Sequence, residues 1–261
     1  MRETNELEDR TPPRTRRPLV IVGVVAALAI AAVAAAYLLL FNDDAPERLA
    51  LSDQASTPSV PATPATGAGA ATPTTASSSV QLVGTWRAVP GSEAGYRVRE
   101  KLAALPAQSD AVGRSPAVTG SGKGEETGGS SLSATDANFE VDLTKLTSDE
   151  SRRDNRIRTD GLQTSRFPKA TFVATRPIPL PAETVSGQAV TASAEGELTL
   201  HGVTKGVTIP LDIRVTGGRG ELVGSLRFPM SDFNINPPNI AGFVTVDPDA
   251  TLEFKLVLEK A

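Results

Sequence analysis

The chain has 261 residues, with 26 Lys and Arg against 30 Asp and Glu, one His, no Cys and 4% aromatics. Without cysteine there is no disulfide, thiolate metal site or cysteine nucleophile, and a single histidine excludes any multi-histidine metal cluster. A formal charge of -4 lacks the basic surplus expected of a nucleic-acid binder.

The first element is Leu19 to Phe41, 23 residues without a charged side chain. As a helix it is about 34 Å long, enough to cross a hydrocarbon core of ~30 Å. A signal peptide cleaved near Ala34, Ala35 and Ala36 is the alternative, but its apolar stretch is ordinarily about 7–15 residues, so the length favours an uncleaved anchor. Arg14, Arg16 and Arg17 precede the span, while Asn42, Asp43, Asp44 and Glu47 follow it. The positive-inside rule then puts residues 1–18 in the cytoplasm and everything after Phe41 outside it, as a single-pass membrane protein. Residues 42–81 are rich in Pro, Ala, Thr and Ser and show no apolar periodicity, so they are expected to be a disordered linker.

Residues 82–261 are expected to form one domain. Apolar residues recur there at every second position, the period of a half-buried strand. The clearest runs are Phe139–Leu143, Ala170–Ala174, Val207–Val215, Leu222–Met230 and Leu252–Leu258. Weaker ones lie at Trp86–Val89, Tyr96–Lys101, Val118–Lys123, Val185–Thr191 and Glu195–His201, and Leu102 to Ser115 reads as a loop. Gly217-Gly218-Arg219-Gly220 predicts a tight hairpin, and Gly202 follows His201 at a strand end. The one helical segment is Ser148–Leu162, with Ser148 as N-cap and Asp149 and Glu150 in its first turn. Eight to ten such strands hide their apolar faces either as a two-sheet sandwich or as a closed barrel, and the pattern alone does not choose.

No G-x-S-x-G, P-loop or H-E-x-x-H motif occurs, and the chain is expected not to be an enzyme and to need no cofactor or metal. Arg152, Arg153, Arg156 and Arg158 form the densest charge cluster. They read either as an anion-binding collar or as a solvated helix paired with Asp149, Glu150, Asp154 and Asp160. His201 reads as a ligand gate or pH sensor, or more simply as a hydrogen bond across a hairpin. Lys205 is a turn charge, and Trp86 and Tyr96 are core or barrel-end plugs.

The stretch from Leu143 to Thr175 carries Ser148-Asp149, Arg153-Asp154, Leu162 and Phe167-Pro168-x-Ala170-x-Phe172. It is followed by Gly196-Glu197-Leu198-Thr199-Leu200-His201-Gly202-Val203-Thr204-Lys205, and later by Ser231-Asp232-Phe233-x-Ile235. In that order these motifs resemble the YceI family of exported, lipocalin-like barrels. The resemblance implies an all-β fold, an elongated antiparallel eight-stranded barrel with a short helix, whose channel holds an isoprenoid or other long-chain lipid. Under that reading Phe139, Val141, Phe172, Leu198, Leu200, Ile209, Leu211, Phe228 and Phe254 line the channel. Arg97, Arg99, Arg152, Arg153 and His201 are then the headgroup candidates. Where the family carries Phe-x-Val-x-His in an early strand, this chain reads Tyr96-Arg97-Val98-Arg99-Glu100, an acid in place of the histidine. A lipid carrier tethered outside the cytoplasmic membrane is the first expectation. An extracytoplasmic interaction module, with its barrel filled by its own side chains, is the alternative.

Overall fold

Alternating strands with one apolar face leave two ways to exclude water, and the chain takes closure. The computed structural model describes residues 45–52, 82–102, 108–127, 131–237, 239–240 and 244–261. The expected cytoplasmic tail at 1–18, the expected membrane span at 19–41 and most of the expected linker, at 42–44 and 53–81, lie outside them. Among the described residues no helix is long and apolar enough to cross a membrane. The unit described here begins at Ala45.

Twelve strands follow in order: β1 (Gly84–Ala88), β2 (Glu93–Leu102), β3 (Gln108–Ser115), β4 (Val118–Glu126), β5 (Leu132–Asp142), β6 (Lys169–Ala174) and β7 (Ile178–Leu180). After these come β8 (Val190–Leu200), β9 (Val203–Thr216), β10 (Arg219–Pro229), β11 (Asn239–Ile240) and β12 (Val244–Lys260). They make an eight-stave antiparallel barrel, because three staves are bent. β1 and β2 both pair with β12, β3 and β4 pair with β2 and β1, and β6 and β7 share β5. Prolines mark the bends at Pro90, Pro116 and Pro177, since a residue with no N–H cannot hold a ladder in register. The ring closes where Trp86 to Ala88 of β1 meet Lys260 to Leu258 of β12.

Short turns set the register. Gly217 and Gly218 join β9 to β10 with φ of +60° and +80°, the left-handed pair that a two-residue hairpin requires. The segment expected to be a loop from Leu102 to Ser115 is instead mostly β3, which pairs with β2 from Ala94↔Ser115 to Lys101↔Gln108. The helix is shorter than expected: α1 (Ser151–Arg156) runs on into a single wide turn, Ile157–Gly161. Its N-cap is Glu150, whose carboxylate accepts from Arg152 N–H at 3.0 Å, not Ser148. Ser148 serves Asp154 instead, donating through its backbone N–H and hydroxyl at 2.9 and 2.7 Å.

The two barrel ends are closed differently. At one end Trp86 donates its indole N–H to the Leu82 carbonyl at 2.8 Å, and the turn Ala182–Ser186 brings in the fully buried Thr184. At the other end α1, the turn at Leu143–Lys145 and the turn at Met230–Phe233 pack over Leu146, Phe228 and Ile235. The segment Ala45–Ser52, part of the stretch expected to be linker, lies along the outer wall as a strap, with Arg48 3.2 Å from Glu253 and Ser52 N–H donating to Glu221 at 2.9 Å.

Candidate functional site

The inner wall is almost wholly apolar, yet its side chains do not fill it. Two cavities of about 160 Å³ and 130 Å³ lie inside the barrel. The first is at the tryptophan end, walled by Trp86, Phe139, Phe172, Leu198, Ile209, Leu211 and Phe254 among others. The second is under α1, walled by Leu143, Leu146, Ile157, Leu162, Leu200 and Phe228 among others. Ala94, Val141, Ala170 and Leu252 line both, so the chambers are neighbours along the barrel. Each chamber is about the size of an engineered apolar cavity of ~150 Å³ that stays dry and takes up benzene. All nine residues expected to line a channel border one chamber or the other.

The hollow depends on glycines that the sequence reading did not single out. On neighbouring strands, Gly113 faces Tyr96, Gly120 faces Phe139 and Gly224 faces Phe254, while Gly196 lies under the ring of Phe172. A Cβ on Gly224 would stand 2.4 Å from Phe254 Cζ, and one on Gly196 2.5 Å from Phe172 Cζ. Each ring therefore lies back against the wall, in space that a side chain would otherwise take, and does not project across the bore. Inward glycines opposite aromatic residues were the available signal for this.

Polar groups gather at the helix-capped end. Tyr96, Glu100 and Arg153 line the second chamber. Arg153 Nη2 reaches Glu100 Oε2 at 3.3 Å, and its Nη1 donates to Asp149. Burial works against the Arg153 charge, but Glu100 and Asp149 outweigh it and hold its pKa above the ordinary guanidinium value. The Tyr96 hydroxyl is buried and finds no hydrogen-bond partner among the described residues. Burial is the main cause that pushes its pKa up, against Arg153 and with Asp154 and Glu100, so the phenol stays a neutral donor.

The other headgroup candidates lie elsewhere. Tyr96, Val98 and Glu100 face inward, so the strand period turns Arg97 and Arg99 outward, and neither reaches the bore. Arg97 pairs with Glu253 at 2.7 Å and Asp110 at 3.1 Å on the outer wall, and Arg99 reaches Asp110 at 3.5 Å. Arg152 is exposed on α1. His201 occupies the β8–β9 turn with φ +51° and is buried outside both chambers. Its Nδ1 lies 3.0 Å from the Phe233 carbonyl, which can only accept, so Nδ1 carries the proton. The ring stands edge-on to Phe167 at 4.6 Å. His201 thus ties the turn to the end cap, with Nε2 left without a partner among the described residues. Of the five candidates, only Arg153 is placed at the bore.

Residues 89–258 match the family model for the YceI-like domain. A UPF0312 protein of Vibrio vulnificus is 30% identical over 123 residues, 44% of this chain and 61% of its own length. One from Vibrio parahaemolyticus is 31% identical over 117 residues, 42% of this chain and 58% of its own. The chain thus spans about three fifths of the curated relatives it matches. Among solved structures, a polyisoprenoid binding domain from Saccharophagus degradans, implicated in plant cell wall breakdown, has the same fold. It matches with a TM-score of 0.52 at 17% identity, over 69% of this chain and 99% of that one.

Proposed function

Because the chain belongs to the YceI-like domain family, we propose that its barrel binds one long apolar lipid of the polyisoprenoid class, the class bound by the Saccharophagus degradans domain of the same fold. The observation that carries the reading is the pair of apolar chambers inside the barrel, which share Ala94, Val141, Ala170 and Leu252 in their walls. A side-chain-filled scaffold would have no such space, because small barrels ordinarily fill their interior. The tail lies toward Phe172 and Phe254, and a compact polar head sits at the helix-capped end beside Tyr96, Glu100 and Arg153. Each buried methylene contributes about 0.8 kcal/mol, so even a partly enclosed chain binds usefully. The proposed role is carriage and not catalysis: the charged groups at the bore neutralise one another in the Arg153 pairs.

The 19–41 block supports a further part of the proposal: a single-pass anchor that holds the barrel outside the cytoplasmic membrane, with residues 1–18 in the cytoplasm. The test is to purify the full chain, extract it with organic solvent and identify what is released by mass spectrometry. One equivalent of a long isoprenoid or similar lipid is expected. A barrel that releases none, and binds no added polyprenol when emptied, overturns the proposal.

A further inference from the structure

Three polar side chains stand in the otherwise apolar wall of the second chamber, and they are not equally free to take a ligand. Both terminal nitrogens of Arg153 are engaged. Nη2 donates to Glu100 at 3.3 Å, and Nη1 donates to Asp149 and reaches Ser148 Oγ at 3.5 Å. The Glu100 side chain is 12% exposed, so its carboxylate depends on that guanidinium for compensation. Tyr96 is the opposite case. Its ring lies over Gly113, where a Cβ would stand 2.8 Å from the phenol oxygen, and its buried O–H meets no acceptor among the described residues. An unpaired buried donor carries a penalty that one acceptor oxygen on a ligand removes.

The charges around the phenol are unbalanced. One guanidinium, Arg153, and three carboxylates, Glu100, Asp149 and Asp154, act on it, and Asp154 is itself buried and held by Ser148. Among the described residues no other arginine lines this chamber: Arg152 and Arg156 are exposed, and Arg158 donates to Asn155 Oδ1 at 3.0 Å. In the first chamber the charged lining residue is Lys123, held by Asp136 at 2.6 Å with both side chains well exposed. A phosphate entering the second chamber must therefore draw Arg153 off Glu100 and leave that carboxylate unpaired beside a second anion. Depriving a buried charge of its partner is strongly unfavourable. An uncharged oxygen requires no such exchange.

We propose that the second chamber takes an uncharged head with an acceptor oxygen, an alcohol, amide or carbonyl, held by the Tyr96 hydroxyl, and that Glu100 excludes phosphorylated heads by keeping Arg153 occupied. The inference rests on the lipid-carriage reading above and specifies the head that reading left open. Tyr96 supplies the bond, and Glu100 sets the charge that is admitted.

The test compares three ligands with one polyisoprenoid tail: the hydrocarbon, the free alcohol and the monophosphate ester. Each displaces a fluorescent polyprenol from the full chain after its own lipid has been extracted. The shared tail cancels, so the ratios report the head. The alcohol is expected to bind about tenfold more tightly than the hydrocarbon, the worth of one hydrogen bond, and at least about tenfold more tightly than the phosphate. Tyr96→Phe should bring the alcohol down to the hydrocarbon and leave the hydrocarbon unchanged. Glu100→Gln, which keeps the side chain's shape and releases Arg153, should raise phosphate affinity about tenfold. A native chain that binds the phosphate as tightly as the alcohol overturns the proposal without recourse to any variant. Unchanged phosphate affinity in a folded Glu100→Gln chain overturns the role of Glu100. A chain that binds none of the three overturns lipid carriage itself, which a wrong head preference would not.

Discussion

Gly224→Ala tests the reading of the bore most directly. Its Cβ would stand 2.4 Å from Phe254 Cζ, 2.9 Å from Cε1 and 3.0 Å from Leu211 Cδ2. Carbon atoms rest at about 3.5–4.0 Å, so the ring must retreat by more than 1 Å. Every atom it meets belongs to a side chain, unlike Gly120 or Gly196, where a Cβ would also strike backbone oxygens at 2.2 and 2.4 Å. The backbone can therefore stay while the Phe254 ring swings off the wall, and the free space lies in the chamber. Overpacking of this kind costs about 1–3 kcal/mol, and swinging into empty space puts the cost at the lower end.

The loss falls on the ligand. A ring that displaces about three methylenes forfeits roughly 2.4 kcal/mol, or about 60-fold in affinity for a polyprenol. The assays are lipid released per barrel, affinity for an added fluorescent polyprenol, and thermal midpoint. Gly206→Ala is the matched control, because a Cβ there meets nothing within 4 Å. A folded Gly224→Ala barrel that loads and binds like the native chain refutes the view that rings laid over glycines keep the bore open.

Phe172→Arg places a charge in the first chamber and is expected to abolish loading while circular dichroism still shows a folded barrel; loading in a folded variant would remove Phe172 from the path of the tail. Tyr96→Phe removes a buried hydroxyl that has no partner among the described residues, so the lipid-free barrel should gain up to about 1 kcal/mol by denaturant unfolding, while a lipid whose head uses that hydroxyl should bind less tightly. His201→Asn keeps a residue that tolerates positive φ but loses the bond to Phe233, so stability should fall by about 1 kcal/mol with loading unchanged, as hydrogen exchange at the β8–β9 turn and lipid extraction would show. Acid should release the strap. Burial alone would raise the Glu221 carboxyl, but Ser52, Lys255 and Arg219 outweigh it and hold its pKa below the ordinary 4.5. A depressed folded value stabilises the seated strap above the ordinary value, and that stabilisation is lost as pH falls through the depressed one. Protease cleavage within 45–52 should rise steeply there, and a flat profile would remove Glu221 from the strap's hold.

The barrel was legible because alternation is a local signal: β5, β6, β9, β10 and β12 each carry inward Phe, Leu, Ile or Val within an alternating run of apolar or small residues. β3 was not, because Gln108–Ser115 presents small inward residues, Ala111, Gly113 and Ser115, and its hold comes from pairing with β2. The same alternation, carried one step further, would have turned Arg97 and Arg99 outward from Tyr96 and Val98. The hollow bore was only half legible. A period of two says which side chains face inward but not whether they meet, and the difference was written in glycines placed opposite aromatic rings on strands distant in sequence. The strap was not legible at all. Its strongest partners, Glu253 and Glu221, are 205 and 169 residues away, and nothing periodic marks Ala45–Ser52.

A hollow interior has a cost that must be met elsewhere in the molecule. At about 24 cal/mol per Å³, two empty chambers of 160 and 130 Å³ forfeit on the order of 7 kcal/mol of packing, comparable with the whole stability of an ordinary domain. No disulfide offsets this, since the chain has no cysteine. Two things can. One is on the outside, where Arg97 and Glu253, almost wholly buried, are held by Asp110, Arg114 and the strap across five neighbouring strands. Buried ion pairs rarely add net stability by themselves, but breaking one partner is costly, so such a network fixes the wall's geometry more than it deepens the well. The other is the proposed lipid, which would fill the chambers and return the missing contacts in proportion to its own burial. The barrel is thus stiffened from outside so that it can stay hollow inside, and the free energy left unsatisfied in the empty chambers is what the proposed lipid tail would recover.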